Sequence, residues 1–164
     1  MREPLTLEEL KQRADIVRDD IDAVLTSLIK SGREWIESYT GLTVNADSVT
    51  QRFDSFDGPM FLLIAPQTGD AVTVSYIDAN GDPAEAVDAR VITTTRPARL
   101  LPPTAAMWAD SATYVTATVP GVPETFKAAI AIYVRAIHED GSLSAAYENA
   151  LEALCRPYRM QLVG

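Results

Sequence analysis

The sequence predicts an α+β protein in which N- and C-terminal helices pack as a small bundle, with a small antiparallel β region in the centre of the chain. Three observations carry this expectation. Apolar residues recur at helical spacing near both ends of the chain, and the middle breaks into short β-rich runs. Glycine and proline stand where one pattern gives way to the next.

The first helix is expected to open at Thr6, because Thr6 followed by Glu9 is a capping-box spacing in which each side chain satisfies the other's free backbone N–H. Leu7, Leu10 and Ala14 give it a short apolar stripe. After a break near Val17 to Asp19, Asp20 is placed to cap a longer helix. Ile21, Val24, Leu25, Leu28, Ile29, Trp35, Ile36 and Tyr39 form its continuous apolar face. Gly32 falls on that face, where a missing side chain permits close approach of another element, and Gly41 is placed to end the helix in a left-handed conformation.

From Leu42 to Val119 no long helical period survives. Met60 to Ala65 is an apolar cluster of strand length, and Val72, Val74 and Tyr76 alternate with Thr73 and Ser75 as in a strand with one buried face. Asn80-Gly81 favours positive backbone angles and so predicts a hairpin turn into Ala84 to Thr95. Arg96 to Trp108 contains Pro97, Pro102 and Pro103, which exclude regular helix and predict a loop. Tyr114 to Val119 is a further strand.

Pro123 suits the first turn of the next helix, whose face is Phe126, Ala129, Ile130, Tyr133, Val134 and Ile137. Asp140-Gly141 closes it, and Ser142 or Ser144 caps a last helix with the stripe Ala146, Tyr147, Ala150, Leu151 and Leu154. Pro157 stops that helix. The expected organisation is a domain over residues 1–157 and a short apolar tail over 158–164.

A chain of 164 residues can bury one core without disulfide or metal support. Fourteen Lys and Arg against twenty-three Asp and Glu leave a net charge of −9, which opposes phosphate-driven grip on nucleic acid. Cys155 is the sole cysteine, so no internal disulfide forms, no cysteine-rich zinc site assembles, and an intracellular setting is expected. No apolar run reaches the roughly eighteen residues of a membrane span, and MREPLTLEEL is not a signal sequence.

Catalytic and metal-binding readings find little support. His138, the sole histidine, lies beside Glu139 and Asp140 at a helix end, where it complements the helix dipole. Cys155 has only Arg156 as an activating neighbour and reads as a small core residue. Asp15, Asp19, Asp20 and Asp22 lack the glycine and glutamate of a calcium loop and read as caps and a solvated patch. No G-x-S-x-G pattern supports a small hydrolase. No catalytic residue, cofactor or metal is therefore expected. Trp35, Ile36 and Tyr39 read as core or as a partner-binding stripe. Arg96, Arg99, Arg156 and Arg159 are the most localised basic residues; they read either as isolated surface cations or as contacts for a neighbouring subunit, a partner protein or DNA.

In order along the chain, several segments resemble the head-tail connector proteins of tailed bacteriophages and phage-like gene transfer agents. They are LTLEELKQ (5–12), DDIDAVLTSLIKSGREWIESYTG (19–41), VTVSYIDANGD (72–82), RPARLLPP (96–103), VPETFKAAI (122–130) and LCRPYRMQLVG (154–164). IHEDGSLSAAYENA and the stretch from Ala105 to Ser111 are individual to this chain. The resemblance implies a virion structural protein without catalysis or cofactor, assembled in the bacterial cytoplasm. It further implies a dodecameric ring between the portal and a tail-side stopper or tail terminator, with double-stranded DNA passing unbound through the channel. Tyr158, Arg159, Met160, Gln161, Leu162, Val163 and Gly164 are the expected portal contact, because a short apolar segment after a helix-stopping proline can add to an edge or groove of a partner. Arg96 and Arg99 are the expected loop interface. The competing expectation is a monomeric protein-binding module that uses the hairpin edge, or a small hydrolase.

Overall fold

The computed structural model describes residues 2–53, 60–66, 71–78, 80–86, 89–95, 97–101, 115–119 and 121–160. Its elements are α1 (Leu7–Ala14), α2 (Asp22–Thr40), β1 (Val49–Phe53), β2 (Met60–Leu62), β3 (Thr73–Ile77), β4 (Pro83–Glu85), β5 (Arg90–Ile92), β6 (Ala98–Leu101), β7 (Val115–Val119), α3 (Glu124–Asp140) and α4 (Ala145–Cys155). A 3₁₀ turn, Arg156–Tyr158, follows α4. The fold is α+β, with helices flanking a β region. Two compact units divide the chain: a helical unit of Met1–Asp47 with Val122–Gly164, and a β unit of Ser48–Gly121.

In the helical unit α3 is the central element, packed against α1, α2 and α4. Leu10, Leu25, Ile29, Ile36, Phe126, Ile130, Val134 and Leu151 are fully buried, removing apolar surface from water along several facing stripes. Gly32 is the point of closest approach: a Cβ there would lie 3.2 Å from Tyr133 Cδ1 and 3.4 Å from Ile130 Cγ2. Thr6 and Glu9 form the reciprocal capping box. Gly41 (φ 74°) and Gly141 (φ 71°) end α2 and α3 in the left-handed conformation.

Several local expectations differ from the structure. Asp20 does not cap α2; its carboxylate accepts two bonds from the Arg18 guanidinium, and Ile21 occupies the cap position without a side-chain bond. Lys11 instead ties the connection down through Asp19 (2.6 Å) and Asp22 (2.5 Å). Val24 is on the solvent side of α2. Pro123 stands one residue earlier than expected, at the cap of α3. On α4 the buried positions are Leu151 and Cys155, while Ala146 and Ala150 are exposed, so the stripe is narrower and turned toward Cys155.

The β unit holds two antiparallel sheets, one in the order β1-β7-β3-β4 and one in the order β2-β6-β5. Met60, Leu62, Val74, Ala98, Leu100, Ala117 and Val119 come from both sheets and form one core. The Asn80-Gly81 hairpin joins β3 to β4, with Gly81 at φ 89° and the Asp78 carboxylate accepting the N–H groups of Asn80 and Asp82. That network, led by the Asp82 N–H, lowers the Asp78 pKa. The stretch after the turn is not one strand: β4 ends at Glu85, and β5 pairs in the other sheet. Ala98–Leu101, expected to be loop, is the central strand β6 of the three-stranded sheet. Pro97 precedes that strand and does not interrupt its ladder. Pro102, Pro103, Trp108 and Tyr114 lie outside the described residues.

Candidate functional site

Two surfaces gather the residues singled out by sequence. The first lies at the C-terminal end of α2, where the chain returns after α4. The fold of that return is set by Pro157, which allows only a 3₁₀ turn after Cys155. The Tyr158 ring packs edge-on against Phe126, with centroids 4.8 Å apart. The Met160 N–H donates to the Thr40 carbonyl at 2.9 Å, and its side chain lies against Gly41. Arg159 faces outward with its guanidinium 5.2 Å from the centre of the Tyr39 ring. Tyr39 is itself stacked on Trp35, one helical turn earlier, at 5.2 Å and 5°. Of the proposed stripe, Ile36 is thus core, while Trp35 and Tyr39 are half-buried and carry Arg159. Gln161, Leu162, Val163 and Gly164 lie outside the described residues.

The second surface is the outer face of the three-stranded sheet. Strand alternation turns Met60 and Leu62 into the core and leaves Phe61 and Leu63 42% and 44% exposed. Arg99 lies opposite Phe61 on one side and Ile92 on the other, with its guanidinium 5.9 Å from the Phe61 ring centre. Its Nε is shielded from solvent and has no hydrogen-bond partner among the described residues. The β2 edge is bridged by Gln51, whose Nε2 donates to the Phe61 carbonyl (2.9 Å) and whose Oε1 accepts the Leu63 N–H (2.8 Å), much as a neighbouring peptide would. Arg96 lies outside the described residues. Phe61 and Leu63 were hidden in the sequence because a continuous apolar run gives no sign of which alternate residues face out.

The other candidates are not brought together. Cys155 is buried, and burial pushes its thiol up to about 11, far from a reactive thiolate. His138 is exposed in the last turn of α3. No group of three or more His, Cys, Asp or Glu side chains among the described residues is arranged to hold a metal ion. No helix among them is long and apolar enough to cross a membrane.

An ion cluster of purely structural character lies inside the helical unit. Arg33, only 6% exposed, donates to Glu3 (3.0 Å) and Glu37 (2.5 Å), and the second Glu37 oxygen accepts the Val44 N–H. Burial by itself would lower the Arg33 pKa, but the bond to Glu3 and the charges of Glu37 and Glu3 hold it above the ordinary arginine value.

Residues 4–58 match the family of phage gp6-like head-tail connector proteins. No curated relative matches in sequence. Among solved structures, the chain is similar to one from the neck of an empty GTA particle computed with C6 symmetry, at 16% identity and TM-score 0.62, covering 98% of this chain and 92% of that one. It is also similar to a chain in the virion of a native gene transfer agent (GTA) particle (18% identity, 98% and 92% covered, TM-score 0.62). A third similarity is to the neck of a native GTA particle computed with C12 symmetry (20% identity, 98% and 91% covered, TM-score 0.61). The family match covers α1, α2 and β1; the likeness in fold extends over nearly the whole chain.

Proposed function

We propose that this chain is a structural head-tail connector subunit, repeated as a ring between the portal of a phage-like capsid and the tail. One observation carries the reading: a connector-family match over residues 4–58 coincides with a fold shared with GTA neck chains over 98% of the chain. Such a role needs shape, self-association and partner contacts, and no catalytic group. Its place would be the neck of the particle.

The C-terminal segment is the portal contact in this reading. Tyr158 and Met160 fix the root of the segment to the helical unit, so that Gln161 to Gly164 start from a defined point. A segment carrying Leu162 and Val163 would gain backbone hydrogen bonds and apolar burial by adding to a partner's edge or groove. The outer face around Phe61, Leu63 and Arg99, with Arg96 beside it in sequence, is the contact for a tail-side stopper or terminator. Arg99 suits that role because its guanidinium lies beside the exposed Phe61 ring, and arginine and aromatic side chains together are frequent interface anchors. The net charge of −9 fits a conduit that double-stranded DNA traverses without adhering.

The test is to mix the purified chain with portal particles from the same genome, pellet them, and image the pellet by electron microscopy. An added ring layer at the portal vertex is expected. Chain that stays in the supernatant at every ratio rejects the reading.

A further inference from the structure

The ring reading leaves open which surfaces join one subunit to the next, and the distribution of ion pairs in the helical unit bears on this. That unit carries ten Lys and Arg side chains, and eight of them pair with carboxylates among the described residues. The two without such a partner are Arg156 and Arg159, both exposed, in a protein with nine more acidic than basic residues. Arg159 stands over Tyr39, which is stacked on Trp35. Partly exposed aromatic side chains and exposed arginines of this kind are the usual anchors of protein interfaces. This surface is fixed to the last turn of α2 through the Met160–Thr40 bond.

The other end of α2 has the opposite character. Val17 is 86% exposed and Val24 55% exposed, the two most exposed large apolar residues among those described. Asp15, Asp19, Asp20 and Asp22 surround them in sequence, held by only Lys11 and Arg18. The nineteen residues of α2 separate the two ends by about 28 Å. Exposed Val24, with Val17 and the aspartates preceding it in sequence, and the Trp35–Tyr39 stack carrying Arg159, with Arg156 three residues earlier in the chain, thus belong to opposite ends of α2.

Resting on the connector reading above, we infer that the helical units associate head to tail: the Val17–Val24 corner of one copy, with Asp19 and Asp20, docks on the Trp35–Tyr39 platform and the Arg156 and Arg159 guanidiniums of the next. The occupant is a second copy of this chain because the same molecule carries both complementary halves. Different patches meet in such a contact, so it is heterologous, and repetition closes a ring when the rotation between copies closes. The arrangement also places the N-terminal end of one α2, with its aspartates, near the C-terminal end of another α2 over which Arg159 stands, with the two helix dipoles in favourable sequence.

Sedimentation velocity on the full chain at low ionic strength tests this. The wild type is expected to associate as concentration rises and to dissociate as salt is added. R156E/R159E and D19R/D20R, all at exposed positions, should each sediment as monomers with unchanged circular dichroism, Asp22 still holding Lys11 when Asp19 and Asp20 are replaced. V17D, a single change at a position with almost no packing to lose, should also be monomeric. The two charge-reversed proteins repel their own kind but complement each other at both ends, so an equimolar mixture should associate again. Association of either reversed protein alone at wild-type strength, a mixture that stays monomeric, or a wild type that never associates overturns the inference. If R156E/R159E still self-associates but no longer pellets with portals, the arginines belong to the portal contact, and the connector reading stands while this one fails. A wild type that neither associates nor binds portals removes both.

Discussion

At the scale of single residues, the most constrained position is Gly32. Its place on the apolar stripe of α2 was legible in the sequence, and the structure supplies the reason: the Tyr133 ring and Ile130 of α3 fill the space where a side chain would be. Gly32→Leu is expected to destabilise the fold by about 1–3 kcal/mol through overpacking, although it raises helix propensity. A chemical denaturation midpoint at or above that of the wild type would contradict this. Gly32→Ala sets roughly 1 kcal/mol of helix propensity against a single tight contact and should change stability much less. Other residue-scale facts were not legible. Arg33 lies between Gly32 and Glu34 and reads as one more surface charge, yet it is buried with Glu3 and Glu37. The partner that makes burial tolerable comes from thirty residues earlier in the chain, and no periodicity encodes that. Replacing Arg33 by Met leaves Glu3 and Glu37 facing one another without a cation and should cost about 3 kcal/mol or more in a thermal melt. Cys155 was read from the sequence as a small core residue, and its burial and raised pKa agree with that.

At the scale of elements, punctuation was the reliable signal. The capping box at Thr6, the glycine terminators of α2 and α3, and the Asn80-Gly81 turn all stand where sequence placed them, because each depends on a few adjacent residues. Elements that depend on distant partners were harder to see. β6 was read as loop because prolines flank it, but its alternate residues Ala98 and Leu100 are buried against β2 and β5. The α4 stripe was misphased because six alanines and leucines fit several registers, and packing on α3 selects Leu151 and Cys155. The capping box also makes a pH-dependent prediction. The Thr6 backbone N–H lowers the Glu9 pKa; burial opposes it, and the Thr6 hydroxyl and Lys127 add to the lowering. A carboxylate whose folded pKa lies below its unfolded value of about 4.3 stabilises the fold above that pH and loses its contribution as pH falls through the folded pKa. Glu9→Gln should therefore cost roughly 0.5 kcal/mol at pH 7, given its solvent screening. In paired melts the gap to the wild type should close as pH falls below the unfolded value and through the lowered folded one. A gap that is constant with pH would show that the carboxylate's charge is not what the cap uses.

At the scale of the whole molecule, the sequence indicated helices, then strands, then helices, and it resembled a connector over nearly the whole chain. What it did not reveal is that the strands form a self-contained unit inserted between α2 and α3. β1 and β7 begin and end that unit as paired neighbours, Val49 opposite Val119, so the chain enters and leaves it at one place. Insertion of this kind leaves no mark in local patterning, since the pairing spans seventy residues. The C-terminal boundary is also sharper in the structure than in the sequence. A tail beginning at Tyr158 follows from Pro157, yet Tyr158 packs on Phe126 and Met160 closes over Gly41 while its N–H takes the last carbonyl of α2. These contacts make residues up to Met160 part of the folded helical unit and leave Gln161 to Gly164 as the segment to be tested for the portal contact. Two truncations separate the roles. Removing Gln161 to Gly164 should leave the melting temperature unchanged and abolish co-sedimentation with portal particles. Removing Met160 as well should also lower the melting temperature, because the Thr40 carbonyl loses its partner and Gly41 its apolar cover. If the shorter truncation binds portals at full strength, the contact lies elsewhere, and the Arg99 face becomes the surface to mutate next.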